Sequence, residues 1–300
     1  MELSWLMRIR IIAAFAIGIV LLGLLPANQI KPPAAGVFAI LSGTISAQDL
    51  MLFGILSFAA GFLASALCTP YGAQIGILAA PAGMAYWGLK STAMSTLFQA
   101  APAVEDRLAV YSAMRFESGI WLVIAACCFV GALAADKLLR RKSVELPDKF
   151  NAHFKLPALV AILIAVIGTV VVGNLLINIF AGDISYPDAK MGRVAGQPAK
   201  FQIAFAVTVA FMACGFLAKL FMGASFLWPA AASAILSSVS TVIYSKKPAM
   251  EYLVNTWPAV FFIKPVASVL PIQMVAFGCI GAVWGYWLAV RYHLWRTYEC

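Results

Sequence analysis

Residues 61–83 read "GFLASALCTPYGAQIGILAAPAG", and the opening of this stretch occurs a second time about half a chain length later. The first copy, "AGFLAS" at 60–65, corresponds to "CGFLAK" at 214–219. A Pro-Ala pair follows each copy in the next apolar stretch, at Pro81 and at Pro229. This recurrence indicates that one apolar structural unit is present twice.

The composition predicts an all-α integral membrane protein. Of the 300 residues, 63% are hydrophobic and only 11% are charged, whereas a soluble domain carries about 25% charged residues. A membrane-spanning helix needs roughly 20 mostly apolar residues. The first such stretch follows two arginines without a clear signal-peptide cleavage site, so we interpret it as a span. Pro, Gly and charged residues bound about eight predicted spans, at 11–25, 50–68, 71–88, 118–138, 156–179, 201–221, 225–244 and 269–291.

Five sequence features recur in the same order in the two halves of the chain. The offset between corresponding features stays between 146 and 154 residues. One such pair is common in a Gly- and Ala-rich chain, but five in the same order favour a duplication. The features are an "IG" with a further Gly (Gly18 and Gly168), "GFLA" (Gly61 and Gly215), "PA" (Pro81 and Pro229), "PAVE" and "PAME" (Pro102 and Pro248), and "GA" with a later Arg (Gly131 and Gly281).

The duplication predicts two tandem four-helix repeats, at 1–150 and 151–300. Because each repeat has four spans, both repeats enter and leave the membrane on the same side, and they have parallel topology. Their pseudo-twofold axis then runs along the membrane normal. In transporters, matched Pro- or Gly-interrupted spans in two repeats mark the substrate site. Pro81 and Pro229 are therefore the predicted centre of a pathway, and Gly61 and Gly215 are expected at close helix crossings.

The charge distribution predicts the orientation and the partners. An even number of spans places both termini on one side, together with the basic clusters "MRIR", "DKLLRRK" and "RYHLWR". The positive-inside rule assigns that side to the cytoplasm, so we expect a bacterial cytoplasmic membrane with both termini cytoplasmic. The net charge of +9 suits contact with membrane lipids. Nucleic acid is not an expected partner, because no basic run alternates with aromatic residues on a soluble domain.

Residues for catalysis or for a cofactor are not found in the predicted spans. The two histidines, His153 and His293, both lie outside them, so no pair can bind haem iron across a bundle, and no Cys or His spacing suits a metal. We therefore predict no enzyme, cofactor or metal site. The charged residues nearest the spans are expected at helix ends, within reach of headgroups or water: Glu117, Asp136, Lys137 and Lys219.

The remaining polar residues at depth are neutral, and they are the candidates for lining a pathway. Residues spaced by four or by three and four along a helix share one face, as do Ser233, Ser237 and Ser240. Hydroxyl groups and small residues also cross-link helices in bilayers, and buried thiols act as small hydrophobes, so packing is the alternative interpretation. The candidates are Cys68, Thr69, Tyr71, Gln74, Pro81, Asn174, Asn178, Pro229, Ser233, Ser237 and Ser240.

The turn "CTPYG" at 68–72 and the Gly/Ala-rich helix before it resemble the sulfur-compound transporters of the YeeE/YedE type. The basic residues that usually follow this turn in that family are absent here, and Met222 stands where the second repeat would have its Cys. The eight-span, cofactor-free organisation is also similar to the quinol-interacting anchor subunits of polysulfide and dimethylsulfoxide reductases. Their His-Leu-Gly motif is absent, and no residue role is transferred from either family.

Two functions are compatible with these features. The first is a small-solute transporter or channel with a pathway between the two repeats, which the duplication, the matched prolines and the neutral polar face favour. The alternative is a cofactor-free structural or anchoring subunit of a larger membrane complex, with other membrane subunits as partners. The lack of intramembrane charge favours this alternative, as do tryptophans near span ends in the manner of an aromatic belt: Trp5, Trp87, Trp121, Trp257 and Trp295.

Overall fold

The structure is a computed structural model, and it describes residues 5–26, 46–68, 72–91, 93–139, 157–257 and 259–298. The short apolar segment at 34–45 lies outside these residues, as do Thr69, Tyr71, His153 and Cys300. Within the described ranges, seven helices are long and apolar enough to cross a membrane. The prediction of a polytopic, helical integral membrane protein is therefore confirmed.

The described residues of the first half form six α-helices. A π-helical segment at Ile19–Leu24 continues the first of them without a break. The helices are α1 (Trp5–Gly18), α2 (Ala47–Leu67), α3 (Gly72–Gly76), α4 (Ala79–Lys90), α5 (Met94–Ala100) and α6 (Val104–Leu138).

The described residues of the second half form five α-helices and a small antiparallel hairpin, whose strands pair Ser185 with Ala195 and Asp188 with Gly192. A short 3-10 helix at Pro265–Ser268 precedes the last helix. The elements are α7 (Ala158–Phe180), β1 (Ser185–Asp188), β2 (Gly192–Ala195), α8 (Lys200–Met222), α9 (Leu227–Tyr244), α10 (Lys247–Thr256) and α11 (Pro271–Tyr298).

The third predicted span, 71–88, is not one continuous helix, which corrects the sequence prediction at this point. It consists of the five-residue α3, a break at Ile77 and Leu78, and the twelve-residue α4. Twelve residues rise only about 18 Å, which is less than the apolar thickness of about 30 Å. Helix α4 is also buried along most of its length. It is therefore a core element that the lipid does not surround.

The fourth predicted span begins 14 residues earlier than expected, at Val104 instead of residue 118. With 35 residues, α6 is about 52 Å long and exceeds the apolar thickness of a bilayer. Its first turns pack against α10 outside the predicted spans. Polar residues in those turns, such as Glu105 and Asp106, lower the hydropathy without ending the helix.

Close helix crossings in both halves depend on glycine. A methyl group at Gly61 of α2 would overlap the Cys128 carbonyl of α6. A methyl group at Gly215 of α8 would lie 2.5 Å from the Ala282 carbonyl oxygen of α11. Contact between backbones requires residues without a Cβ at such crossings. The predicted positions of Gly61 and Gly215 are thereby confirmed.

The π-helical segment is explained by a proline and a tryptophan. Pro26 follows Leu22 by four residues and has no N–H group to donate to the Leu22 carbonyl. The chain widens to i+5 bonding here, with the Leu25 N–H donating to the Val20 carbonyl at 2.9 Å. The indole Nε1–H of Trp87, on α4, donates to the Leu22 oxygen at 2.6 Å. The carbonyl that Pro26 leaves without a helical donor is thus satisfied from a neighbouring helix.

The hairpin β1–β2 is fastened to α10 through Asp188. One carboxylate oxygen accepts the N–H groups of Lys190 at 2.9 Å and Met191 at 2.7 Å. The other accepts the Trp257 indole N–H at 2.9 Å and the Tyr252 hydroxyl at 3.2 Å. These donors, the Met191 N–H foremost, lower the pKa of Asp188 below its ordinary value.

We expect this attachment to be lost in acid. A carboxyl whose pKa is lowered by folding stabilises the folded state above its unfolded pKa, about 3.9, and that contribution disappears as the pH falls through the folded pKa. Asp188→Asn should therefore increase hydrogen exchange of residues 185–195 at neutral pH, and the difference from wild type should shrink below about pH 4. Asp183→Asn, at an exposed carboxylate that accepts only a local N–H in the described structure, is the matched control. Equal exchange in the Asp188 variant and wild type at neutral pH would contradict this assignment.

Candidate functional site

The break between α3 and α4 interrupts the helical backbone inside the core. Gly76, Ile77 and Leu78 are all buried there. Pro81 has no N–H group, so the carbonyl of Ile77, four residues earlier, loses its helical donor. The Cys128 thiol of α6 contacts this region, with its sulfur 3.3 Å from the Gly76 oxygen and 3.9 Å from the Ile77 oxygen. A thiol is a weak donor, so this contact adds little to the backbone hydrogen bond that crosses the break, from the Leu78 N–H to the Ile75 carbonyl at 3.0 Å.

The two ends of α4 are held differently. At the C-terminal end, the carbonyl of Gly88 accepts the Gln273 amide of α11 at 2.9 Å, and the Leu89 carbonyl accepts the Lys200 ammonium of α8 at 3.3 Å. These donors satisfy carbonyls that the helix end leaves without partners. The second half of the chain thus holds one end of α4. At the other end, the Leu78 N–H donates to the Ile75 carbonyl at 3.0 Å, and the Cys128 thiol contacts the break from α6.

The corresponding span of the second half, α9, has no break at Pro229. The Ser225 carbonyl, four residues before Pro229, accepts the N–H of Trp228 at 3.3 Å. Pro229 itself is buried in the first turn of α9. A proline in the first turn removes no needed helical bond. Pro81 and Pro229 therefore occupy different local structures.

The three predicted serines of α9 share one buried face. Ser233 is fully buried, and Ser237 and Ser240 are 3% and 4% exposed. Ser233 donates to the Ala230 carbonyl at 2.6 Å and Ser240 to the Leu236 carbonyl at 2.7 Å, both within their own helix. A methyl group at Gly278 of α11 would lie 2.5 Å from the Ser233 Cβ. The serine face is thus packed closely against α11.

Asn174 and Asn178 occupy one face of α7, as their spacing predicts. The Asn178 amide donates to the Asn174 side-chain oxygen at 3.2 Å. The Asn178 oxygen accepts the N–H of Val266, in the 3-10 helix, at 3.2 Å. The pair connects α7 to the segment that precedes α11.

The turn after α2 is described only in part, because Thr69 and Tyr71 lie outside the described residues. Cys68, at the end of α2, is fully buried, and its thiol donates to the Arg10 carbonyl of α1 at 3.3 Å. Gln74 lies in α3 and is half-buried. Cys68 thus joins the end of α2 to α1.

The prediction that Glu117 lies at a helix end is wrong. It is 3% exposed inside α6, and not at a helix end within reach of headgroups. Its carboxylate accepts the indole N–H of Trp121 at 3.0 Å, and Trp121 is itself fully buried. Trp121 and Trp87, at 5% exposed, therefore do not belong to an aromatic belt. The Glu-x-x-x-Trp spacing, which places both side chains on one helical face, is the signal that could have identified this pair.

Cys128 and Gln273 were also missed. Both lie in apolar stretches. A thiol in such a stretch is usually interpreted as a small hydrophobic side chain, and a single amide gives no pattern from which a contact can be predicted. The useful signal was indirect: each carbonyl that Pro81 or a helix end leaves without a donor needs a partner elsewhere. Within the described residues, no group of three or more His, Cys, Asp or Glu side chains is arranged to hold a metal ion.

Comparisons with protein-family models, with curated proteins and with solved structures find no match for this chain.

Proposed function

We propose that this protein is a small-solute transporter or channel of a bacterial cytoplasmic membrane, with both termini cytoplasmic, a pathway between two four-helix repeats and no enzymatic activity. The observation that carries the proposal is the buried break before Pro81. Irregular backbone at membrane depth is tolerated where protein buries it or where it lines a cavity, and broken helices form the substrate sites of many transporters.

Corresponding contacts in the two halves support the repeat arrangement, at 1–150 and 151–300. Gly61 faces the carbonyl of Cys128, and Gly215 faces that of Ala282. Gly215 follows Gly61 by 154 residues, and Ala282 follows Cys128 by the same number. Gly131 and Gly281 likewise face the carbonyls of Phe58 and Thr208, displaced by 150 residues. In each half, glycines of the second and fourth spans thus face carbonyls of the other span, which is the crossing that a duplicated unit predicts. The crossing recurs, but the 154- and 150-residue offsets reverse the order of Cys128 and Gly131 and do not fit one residue-by-residue alignment.

The ends of these crossings also correspond. In the first half, the Ser65 hydroxyl donates to Asp136 at 2.9 Å. In the second half, at offsets of 154 and 150 residues, the Lys219 ammonium lies 4.9 Å from the centre of the Tyr286 ring. The residue types differ, but each pair joins the second span to the fourth span of its own half.

The third spans lie where the two halves meet. Helix α4 of the first half packs against α11 of the second, and α9 of the second half packs against α6 of the first. This exchange of neighbours is the contact pattern expected around a pseudo-twofold axis. A pathway between the halves would therefore run beside the break and beside the serine face of α9.

The proposed pathway opens by movement at the break. The weak Cys128 thiol contact links the break to α6, whereas the Gln273 and Lys200 contacts retain the other end of α4. Water from a pathway between the halves would reach Ser237 and Ser240 only if α9 also moved away from α11 of its own half. The side chains then available to a solute are neutral hydroxyls and backbone carbonyls, which suits a small polar solute that carries no charge.

Thiol labelling tests this proposal. In a background without other cysteines, single cysteines at Ser237, at Ser240 and at native position 68 should react with a membrane-impermeant maleimide in inside-out or right-side-out vesicles. Reaction needs water access, because the thiolate is the nucleophile. Labelling should be slower than at a fully exposed position, since all three side chains are buried in this conformation.

Two control positions define the range. A cysteine at exposed Asp183, in the turn after α7, should label fully. A cysteine at Leu163, which is 51% exposed on α7 and faces lipid, should not label. If Ser237, Ser240 and Cys68 all behave like the lipid-facing control, the pathway is wrong and the anchoring subunit is the better description.

A further inference from the structure

A shallow groove lies on the outer surface where α6 meets α9, away from the break and the serine face. Its volume is about 230 Å³, and five residues line it: Arg115, Ser238, Val239, Val242 and Ile243. We call it the Arg115 groove. Pockets that enclose a whole drug-sized ligand are larger, roughly 300–1,000 Å³. The groove therefore suits part of a molecule whose remainder lies outside the protein.

The walls of the groove are continuous with the lipid-facing surface. Val242 and Ile243 are 45% and 49% exposed, and Phe116, beside Arg115, is 72% exposed. Large apolar side chains exposed on a membrane-spanning helix are covered by acyl chains. The groove lies near the end of α9 that leads into α10, where a spanning helix reaches the headgroup level.

Arg115 is the single charged residue that lines the groove. Its guanidinium carbon is 5.7 Å from the centre of the Phe116 ring. The two ion pairs formed among the described residues both involve Lys247, and neither includes Arg115. A guanidinium presents several N–H donors in a plane, which matches the oxygens of a phosphate. A negative group from outside the described protein is therefore the complementary partner.

The backbone around Arg115 is fixed independently of its side chain. The Ser238 hydroxyl donates to the Arg115 carbonyl at 2.8 Å and lies 2.8 Å from the Ser118 hydroxyl. Ser118 in turn donates to the Ala234 carbonyl at 3.0 Å. These bonds join α6 to α9 below the groove and hold the guanidinium beside the apolar walls.

We propose that the Arg115 groove binds a phospholipid of the surrounding bilayer, with its headgroup phosphate on the Arg115 guanidinium and an acyl chain against Val239, Val242 and Ile243. A cation between two spanning helices with an apolar slot beneath it has the composition of a lipid headgroup site. The bound lipid covers the junction of α6 with α9 and stabilises it. This inference holds whether or not the protein transports a solute.

Native mass spectrometry of the full-length protein in detergent tests the inference. Phosphatidylglycerol should bind and raise the melting temperature. Diacylglycerol, which has the acyl chains without the phosphate, and inorganic phosphate, which has no chains, should do neither at the same concentration. Arg115→Gln should weaken phosphatidylglycerol binding about tenfold or more, as expected for loss of a charge-assisted hydrogen bond.

Arg193→Gln is the matched control, because Arg193 is exposed on β2 and does not line the groove; it should bind like wild type. If Arg115→Gln fails to fold, Arg115→Lys keeps the charge without the planar donors and should bind more weakly than wild type. The proposal would be overturned if the wild type and whichever Arg115 variant folds bound phosphatidylglycerol equally well. Binding of diacylglycerol as tight as that of phosphatidylglycerol, or tight binding of inorganic phosphate alone, would also overturn it.

Discussion

Gly61→Ala and Gly215→Ala should each remove most of the folded protein that is recovered in detergent. The new methyl group would overlap the Cys128 carbonyl in the first case and lie 2.5 Å from the Ala282 carbonyl oxygen in the second. These neighbours are helix backbone, which cannot rotate away as a side chain can. Overpacking of a tight core costs about 1–3 kcal/mol and sometimes more, and a crossing of two backbones belongs at the upper end. Leucine at either position should be worse.

Glycines of the helices that pack against α2 and α8 supply the controls. Gly119 of α6 and Gly168 of α7 have open space where a Cβ would be placed. Alanine is favoured over glycine in a helix interior by about 1 kcal/mol, so Gly119→Ala and Gly168→Ala should melt at or above the wild-type temperature. Size-exclusion profiles and thermal melting of all four variants make the comparison. Wild-type melting of Gly61→Ala and Gly215→Ala would show that the helices do not cross closely at these glycines.

Trp87→Phe should lower stability by about 1–3 kcal/mol, because it leaves the buried Leu22 carbonyl without its indole donor. Leu22 is fully buried, so water cannot replace the lost hydrogen bond in the folded protein. Phenylalanine keeps an aromatic ring in the site and removes the N–H group. The loss should appear as a lower melting temperature in detergent.

A second substitution separates the hydrogen bond from packing. Pro26→Ala restores an N–H group four residues after Leu22, which can donate to the same carbonyl if the segment returns to an α-helix. Pro26→Ala should therefore recover part of the stability lost in Trp87→Phe. Trp284→Phe, at a residue that is 40% exposed, should change little. No rescue by Pro26→Ala would mean that the loss arises from packing of the indole.

Much of the fold could be predicted because apolar length and glycine placement are local signals. Uncharged stretches identify the spans, and Gly61 and Gly215 mark helix crossings without knowledge of their partners. The prediction of the third span as one continuous helix was wrong because the residues on both sides of Ile77 and Leu78 are apolar, so the hydropathy does not change at the break. The predicted start of α6 was wrong for the opposite reason. Its first turns are polar, so the hydropathy changes there although the helix continues outside the apolar layer.

The candidate site was less predictable because its important contacts are between distant parts of the chain. Pro81 alone implies that the carbonyl four residues earlier lacks a helical donor, but the contact of that carbonyl with Cys128 depends on how α6 packs against α3 and α4. Glu117 is buried by neighbouring helices, although its position in the sequence suggested an exposed helix end. The serine spacing on α9 places Ser233, Ser237 and Ser240 on one face, but the same spacing serves close packing and pathway lining equally well.

The contact of α11 with the C-terminal end of α4 has a consequence for synthesis at the ribosome. Helix α4 is too short to span a bilayer, and its Gly88 carbonyl is satisfied by Gln273 of the last helix. That helix emerges about 200 residues after α4, so at about 5–20 residues per second the delay is on the order of 10–40 s. During this interval α4 cannot reach its final position, and we expect it to remain beside α1 or within the insertion machinery. Chains released before α11 should therefore be poor in native structure and prone to degradation.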